Sequence, residues 1–274
     1  MRTVYYYQTF IGLEPLMTHL TDIDIIIVSS IHFDKDSYGN CQIYLNDNLP
    51  DNVGFNVMWR EIQQVSVQGV KTMLMIGGAG GAFTTLFQNF EACYPQLREL
   101  LQNKSFLSGV DLDVEESVSL QDLQMLIRCL KRDFPYLKLS MAPVSSSLET
   151  DLPGMGGFSY KHLLNSKEGQ MIDWWNVQCY DDFSCDTLRR IVKNGYPPDS
   201  IHMGMLSGQF PPHQFSKALE SVSQMLHSYN SLGGVFVWEY IDSPPDIKDP
   251  SQWCRMMSEL NESLWIKGGN TILE

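Results

Sequence analysis

Three carboxyl groups stand at alternate positions of one short run, Gly109-Val110-Asp111-Leu112-Asp113-Val114-Glu115. Side chains alternate faces along a β-strand, so Asp111, Asp113 and Glu115 would project one way and Val110, Leu112 and Val114 the other. Stacking three acids away from water raises the proton affinity of at least one of them, through desolvation and like-charge repulsion. The product is a group able to donate a proton near neutral pH. Glycosidic cleavage needs such a group to protonate the leaving oxygen, together with a partner that stabilises or captures the positively charged sugar carbon. The run supplies the acid, Glu115, but shows no second carboxylate placed across a substrate. The competing reading is an exposed strand with one acidic face, which antiparallel sheets permit.

A second polar set lies in Asn176-Val177-Gln178-Cys179-Tyr180-Asp181. By parity Asn176, Gln178 and Tyr180 share one face, and an inward polar set calls for a ligand or a partner. Trp238 closes an apolar run and taken alone reads as core; beside the acid ladder it reads as a platform for a sugar ring. The six cysteines show no CxxC spacing and the six histidines no HxH or HExxH pattern. Free buried thiols are therefore expected, and neither a metal site nor a cofactor. The segment 33–54, rich in Asp, Asn and Gly, lacks the ligand spacing of a calcium loop and reads as a polar loop able to rim a cleft.

Positioning these residues requires strands, and eight short apolar runs recur: 3–7, 23–31, 72–76, 109–115, 137–142, 174–180, 201–205 and 234–238. Helical patterns separate them, at 55–68, 82–103, 120–134, 186–193, 212–228 and 250–262. A break is expected in the second of these near Cys93-Tyr94-Pro95, because proline lacks a donor. Eight βα repeats predict a single (β/α)8-barrel domain over residues 1–274, with its site at the C-terminal ends of the strands. A net charge of −13 with scattered basic residues argues against nucleic acid. The longest apolar run, 23–31, is interrupted by Asp24, Ser29 and Ser30 and is too short to span a bilayer, so no membrane is expected. Met1 leads directly into a strand with no export signal, which predicts a cytoplasmic chain as written, or a secreted one if trimmed. A monomer is expected.

The ladder resembles the Asp-Gly-x-Asp-x-Asp-x-Glu signature of glycoside hydrolase family 18, the chitinase and endo-β-N-acetylglucosaminidase family. Every fixed position agrees except the first, where Ser108 replaces Asp. Met75-Ile76-Gly77-Gly78 is similar to the family's Ser-x-Gly-Gly element with Met75 in the serine position, and Leu139-Ser140-Met141-Ala142-Pro143 to its fifth-strand segment. Gln178-Cys179-Tyr180 resembles its Gln-x-Tyr element, and Gly233 to Trp238 its last strand. The resemblance implies hydrolysis of chitin or chito-oligosaccharides in which the substrate's own 2-acetamido oxygen is the nucleophile and the anomeric configuration is retained. Glu115 would be the acid and base, Asp113 would orient the acetamido N–H, Asp111 would share a proton with Asp113, and Tyr180 would bond the acetamido oxygen. Tyr6, Gly77, Gly78, Met141, Gln178 and Trp238 would shape the sugar subsite. Two alternatives stand beside this one: action on the chitobiose core of N-glycans, and a silent lectin on the same barrel.

Overall fold

The computed structural model describes residues 1–269; the single-domain expectation runs to residue 274, and 270–274 lie outside the described residues. Eight parallel strands form the barrel: β1 (Arg2–Tyr7), β2 (Ile25–Lys35), and then, beyond a short β3 (Cys41–Leu45), β4 (Lys71–Gly77), β5 (Gly109–Asp113), β6 (Lys138–Met141), β7 (Trp174–Gln178), β8 (Ile201–Leu206) and β9 (Gly234–Trp238). The order β1-β9-β8-β7-β6-β5-β4-β2 closes through β1–β2 pairing. Strand alternation then sorts the side chains. Val4, Tyr6, Ile25, Ile27, Met73, Met75, Trp174 and Phe236 fill the barrel, while Tyr5, Tyr7, Ile26, Val28, Val110 and Leu112 pack outward beneath the helices.

The outer layer comprises α1 (Asn56–Val67), α2 (Phe83–Gln88), α3 (Phe90–Asn103), α4 (Leu120–Asp133), α5 (Ser145–Glu149), α6 (Tyr160–Leu164), α7 (Cys185–Lys193), α8 (Phe215–Ser228) and α9 (Ser251–Gly269). Helix α4 shows why such segments fold as they do. Ser119 caps it by accepting from the Asp122 N–H, Leu123, Leu126, Ile127 and Leu130 recur on the buried face, and Pro135 follows its end. No described helix is long and apolar enough to cross a membrane.

Three local expectations are corrected. The break in the helical segment 82–103 falls at Asn89, whose backbone leaves the helical region and whose side chain donates to Thr85 O at 3.1 Å. An asparagine that satisfies a helix-end carbonyl ends the helix more effectively than Pro95, which sits inside α3 at the cost of one hydrogen bond. Segment 33–54 is not a plain polar loop: β2 runs past the barrel rim and pairs antiparallel with β3, burying Phe33, Ile43 and Leu45. Gln96 pins that hairpin to α3, its amide donating to Cys41 O at 2.8 Å and accepting from Ile43 N at 3.0 Å. Nor are all thiols free: Cys41 and Cys93 form a disulfide across the same contact, leaving Cys129, Cys179, Cys185 and Cys254 as thiols.

Candidate active site

The register of β5 against its neighbours aligns Asp111 with Met75 and Ser140, and Asp113 with Gly77. Asp111 is fully buried inside the barrel. Burial pushes its proton affinity up, and three donors oppose that: Ser140 Oγ at 2.6 Å, Tyr6 Oη at 2.7 Å and Asn176 Nδ2 at 3.0 Å. Asp113 stands one step nearer the mouth. Burial first, and then the charges of Glu115 and Asp111, hold its carboxyl well above the usual range. The single amide of Gln178 reaches Asp113 Oδ1 at 3.1 Å, Glu115 Oε1 at 3.3 Å and Ala142 O at 2.8 Å, tying the two upper acids to β6 and β7. Strand β5 ends at Asp113, so Glu115 stands two residues past the last paired position, half-buried at the mouth.

The cleft above them is lined by Asp113, Glu115, Gln178, Tyr180 and Trp238. Tyr180 is pushed up by burial and then by the nearby Asp113, so its hydroxyl stays a hydrogen-bond donor. Trp238 rests with its ring centroid 5.4 Å from that of Tyr6, forming the floor. Gly77 and Gly78 contribute backbone. Both have positive φ, Gly78 N donates to Asp113 O at 2.9 Å, and a Cβ on Gly77 would lie 2.2 Å from that same oxygen. Only glycine lets β4 turn this close to the ladder. A second cavity, over His32, Asp34, Tyr44 and Asp47, extends the cleft toward the β2–β3 hairpin.

Two of the expected subsite residues lie elsewhere. Met141 is fully buried in the outer core, because alternation turns Ser140 inward to Asp111 and Met141 out toward the helices. Tyr6 points into the barrel but lies beneath the cleft, where its ring supports Trp238 and its hydroxyl binds Asp111. Ser108 supports its strand despite replacing an acid: both its N–H and its hydroxyl donate to Thr72 O, at 2.7 and 3.0 Å.

Sequence reasoning missed Ser140, which only the register of β6 against β5 places beside Asp111. It also missed Glu116, which follows the ladder and accepts from the N–H groups of Ala82, Phe83 and Thr84. Burial would raise this carboxyl, but those donors hold it below its ordinary range, and the contact fixes the backbone next to Glu115. Glu239 likewise accepts from Gln8 N and Thr9 N, at 2.8 and 2.9 Å, joining the ends of β9 and β1 at the rim. No local pattern announces either one. Among the described residues no group of three His, Cys, Asp or Glu side chains could hold a metal ion.

No protein-family model matches the chain, and no curated protein does. Solved structures do. A fungal endo-β-N-acetylglucosaminidase of glycosyl hydrolase family 18 is 33% identical with a TM-score of 0.84, over 95% of this chain and 98% of that one. Chitinase ChiC from Aspergillus fumigatus is 30% identical with a TM-score of 0.80, over 94% and 98% of the two chains. A chitinase-like agglutinin from Robinia pseudoacacia shares the fold at 15% identity and a TM-score of 0.61, over 94% and 99%.

Proposed function

The chain belongs to glycoside hydrolase family 18, and from that premise we propose that it cleaves β-1,4 bonds next to N-acetylglucosamine with retention, the substrate's 2-acetamido oxygen serving as nucleophile. One observation carries this reading: the carboxyl beside Glu115 is buried and shares the Gln178 amide with it, and burial raises its proton affinity well above the usual range. With its proton on, as burial favours, Asp113 is a poor nucleophile and a good hydrogen-bonding partner for an amide. Glu115 gives its proton to the leaving oxygen as the acetamido oxygen closes on the anomeric carbon. Asp113 accepts a hydrogen bond from the acetamido N–H and shares its own proton with Asp111, Tyr180 steadies the acetamido oxygen, and Trp238 carries the ring. Glu115 then accepts a proton from the water that opens the oxazolinium.

Oligomers of N-acetylglucosamine, as in chitin, are the first substrate class. The likeness to the fungal endo-β-N-acetylglucosaminidase favours a second, the chitobiose core of N-glycans. The ladder retains its terminal acid, Glu115, which supports an enzyme over a silent lectin. Product analysis on defined chito-oligosaccharides and on a mannose-rich glycoprotein decides between the two enzymes. Glu115→Gln is expected to lower kcat by about 10²–10⁴-fold while sugar binding survives, and fully deacetylated oligomers should not be cut. Turnover of the deacetylated oligomer, or an unaffected glutamine variant, would overturn the mechanism.

A further inference from the structure

Below the ladder, toward the N-terminal ends of the barrel strands, a line of polar side chains runs from β1 across β8 and β7 to Asp111. Arg2 Nη1 lies 3.2 Å from His202 Nε2, His202 Nδ1 lies 2.9 Å from Asn176 Oδ1, and Asn176 Nδ2 lies 3.0 Å from Asp111 Oδ1. His202 and Asn176 are fully buried. The imidazole is clamped between its neighbours: it stacks on Trp174 with centroids 5.4 Å apart and planes at 23°, and the Arg2 guanidinium lies 5.3 Å from the same indole. Gly234 makes room for it, since a Cβ there would lie 2.7 Å from His202 Cδ2.

The chemistry of this line fixes its direction. A guanidinium has donors only, so His202 Nε2 must accept and the ring's proton must sit on Nδ1. That N–H needs an acceptor, which turns the Asn176 oxygen toward the histidine and its NH₂ toward Asp111. An asparagine facing the other way would set its carbonyl against a carboxylate.

We propose that Arg2, His202 and Asn176 are positioning residues that form a one-way donor relay, holding Asp111 as the proton-free member of the ladder so that Asp113 carries the shared proton. The relay rests on the mechanism proposed above but has a signature independent of it. Burial, and then the charge of Arg2, hold His202 well below the usual histidine range, so it stays neutral and retains one lone pair for Arg2. The charged and titratable groups facing it are Arg2 and the Met1 amine. Those facing the ladder are Tyr6 from β1, Tyr160 from α6 and Tyr180 beyond β7, besides the three acids themselves.

Two measurements on the intact protein test the relay. Long-range ¹H–¹⁵N correlation of labelled histidine should show His202 as a neutral ring with its proton on Nδ1 at about pH 6, below the ordinary histidine pKa. A proton on Nε2, or an imidazolium, overturns the proposal whether or not any sugar is cleaved. Arg2→Met frees the tautomer, so both tautomers should appear. In that variant kcat should drop roughly tenfold with KM unchanged, the weight of one hydrogen bond to a charged group. The acid limb of kcat/KM should move up by about one pH unit, the same factor read as a pKa shift. Arg2→Lys, which also only donates, should restore both. Loss of thermal stability in Arg2→Met with neither the tautomer nor the acid limb moved would assign the residues to packing alone. If no substrate is turned over, the mechanism falls and the tautomer still decides the relay.

Discussion

Asp113 and Asp111 carry like burdens and resolve them differently. Asp111 is surrounded by donors, whereas Asp113 has the Gln178 amide on one side and two acids on the other. The raised affinity of Asp113 has a thermodynamic sign. Below the ordinary aspartate range the group is protonated in folded and unfolded chains alike, and it costs nothing. Above that range the unfolded chain releases the proton while the folded one holds it, and stability drops by about 1.4 kcal/mol per pH unit until the folded group ionises as well. Asp113→Asn imitates the protonated acid at every pH. It should therefore leave stability near pH 3.5 unchanged and raise it by about 1 kcal/mol or more near pH 8, while abolishing turnover. Calorimetric melting of the two proteins across that range is the check, and a parallel pair of curves would refute the assignment of the proton to Asp113.

At the scale of elements, the ladder works because β4 and β5 end in contact. Gly77 and Gly78 bring the end of β4 against Asp113 O, a position where a side chain has no room. Gly77→Ala combines a positive φ with a 2.2 Å overlap, and should cost about 2–4 kcal/mol in urea unfolding. It should also lower kcat, since the displaced carbonyl carries Asp113 with it. Gly39 makes a control, being also at positive φ but with nothing within 4 Å of an added Cβ. Gly39→Ala should cost only about 1 kcal/mol and leave kcat intact. Equal losses in the two variants would mean that conformational strain, rather than contact with the ladder, decides the matter.

The whole molecule is a closed barrel with one addition, the β2–β3 hairpin that rises beside the cleft and is fastened to α3 by Gln96 and the Cys41–Cys93 bond. That bond spans 52 residues of sequence, enough to restrict the unfolded chain appreciably. Replacing both cysteines by serine should lower unfolding free energy by about 2–4 kcal/mol, and adding a thiol reductant to the native protein should reproduce the shift. Identical melting of the reduced and oxidised proteins would show that the two sulfurs are not joined.

The sequence alone determined what depends on neighbours along the chain. Alternation placed Asp111, Asp113 and Glu115 on one face, and did the same for Asn176, Gln178 and Tyr180. Apolar runs spaced by helical stripes, such as the one in α4, marked eight βα units and so the barrel. What the tertiary structure decided depends on how strands meet. The stagger between strands sank Tyr6 below the cleft, and the pairing of β6 with β5 gave Ser140 rather than Met141 to Asp111. The hairpin at Cys41–Leu45 was too short and too polar in its surroundings to stand out as a strand, and its disulfide partner lies on another element. Arg2 and His202 are 200 residues apart, and no periodicity links them. They meet because the barrel closes, bringing β1 and β8 to either side of β9. Local pattern thus named the acids, and closure chose the partners that govern their protons.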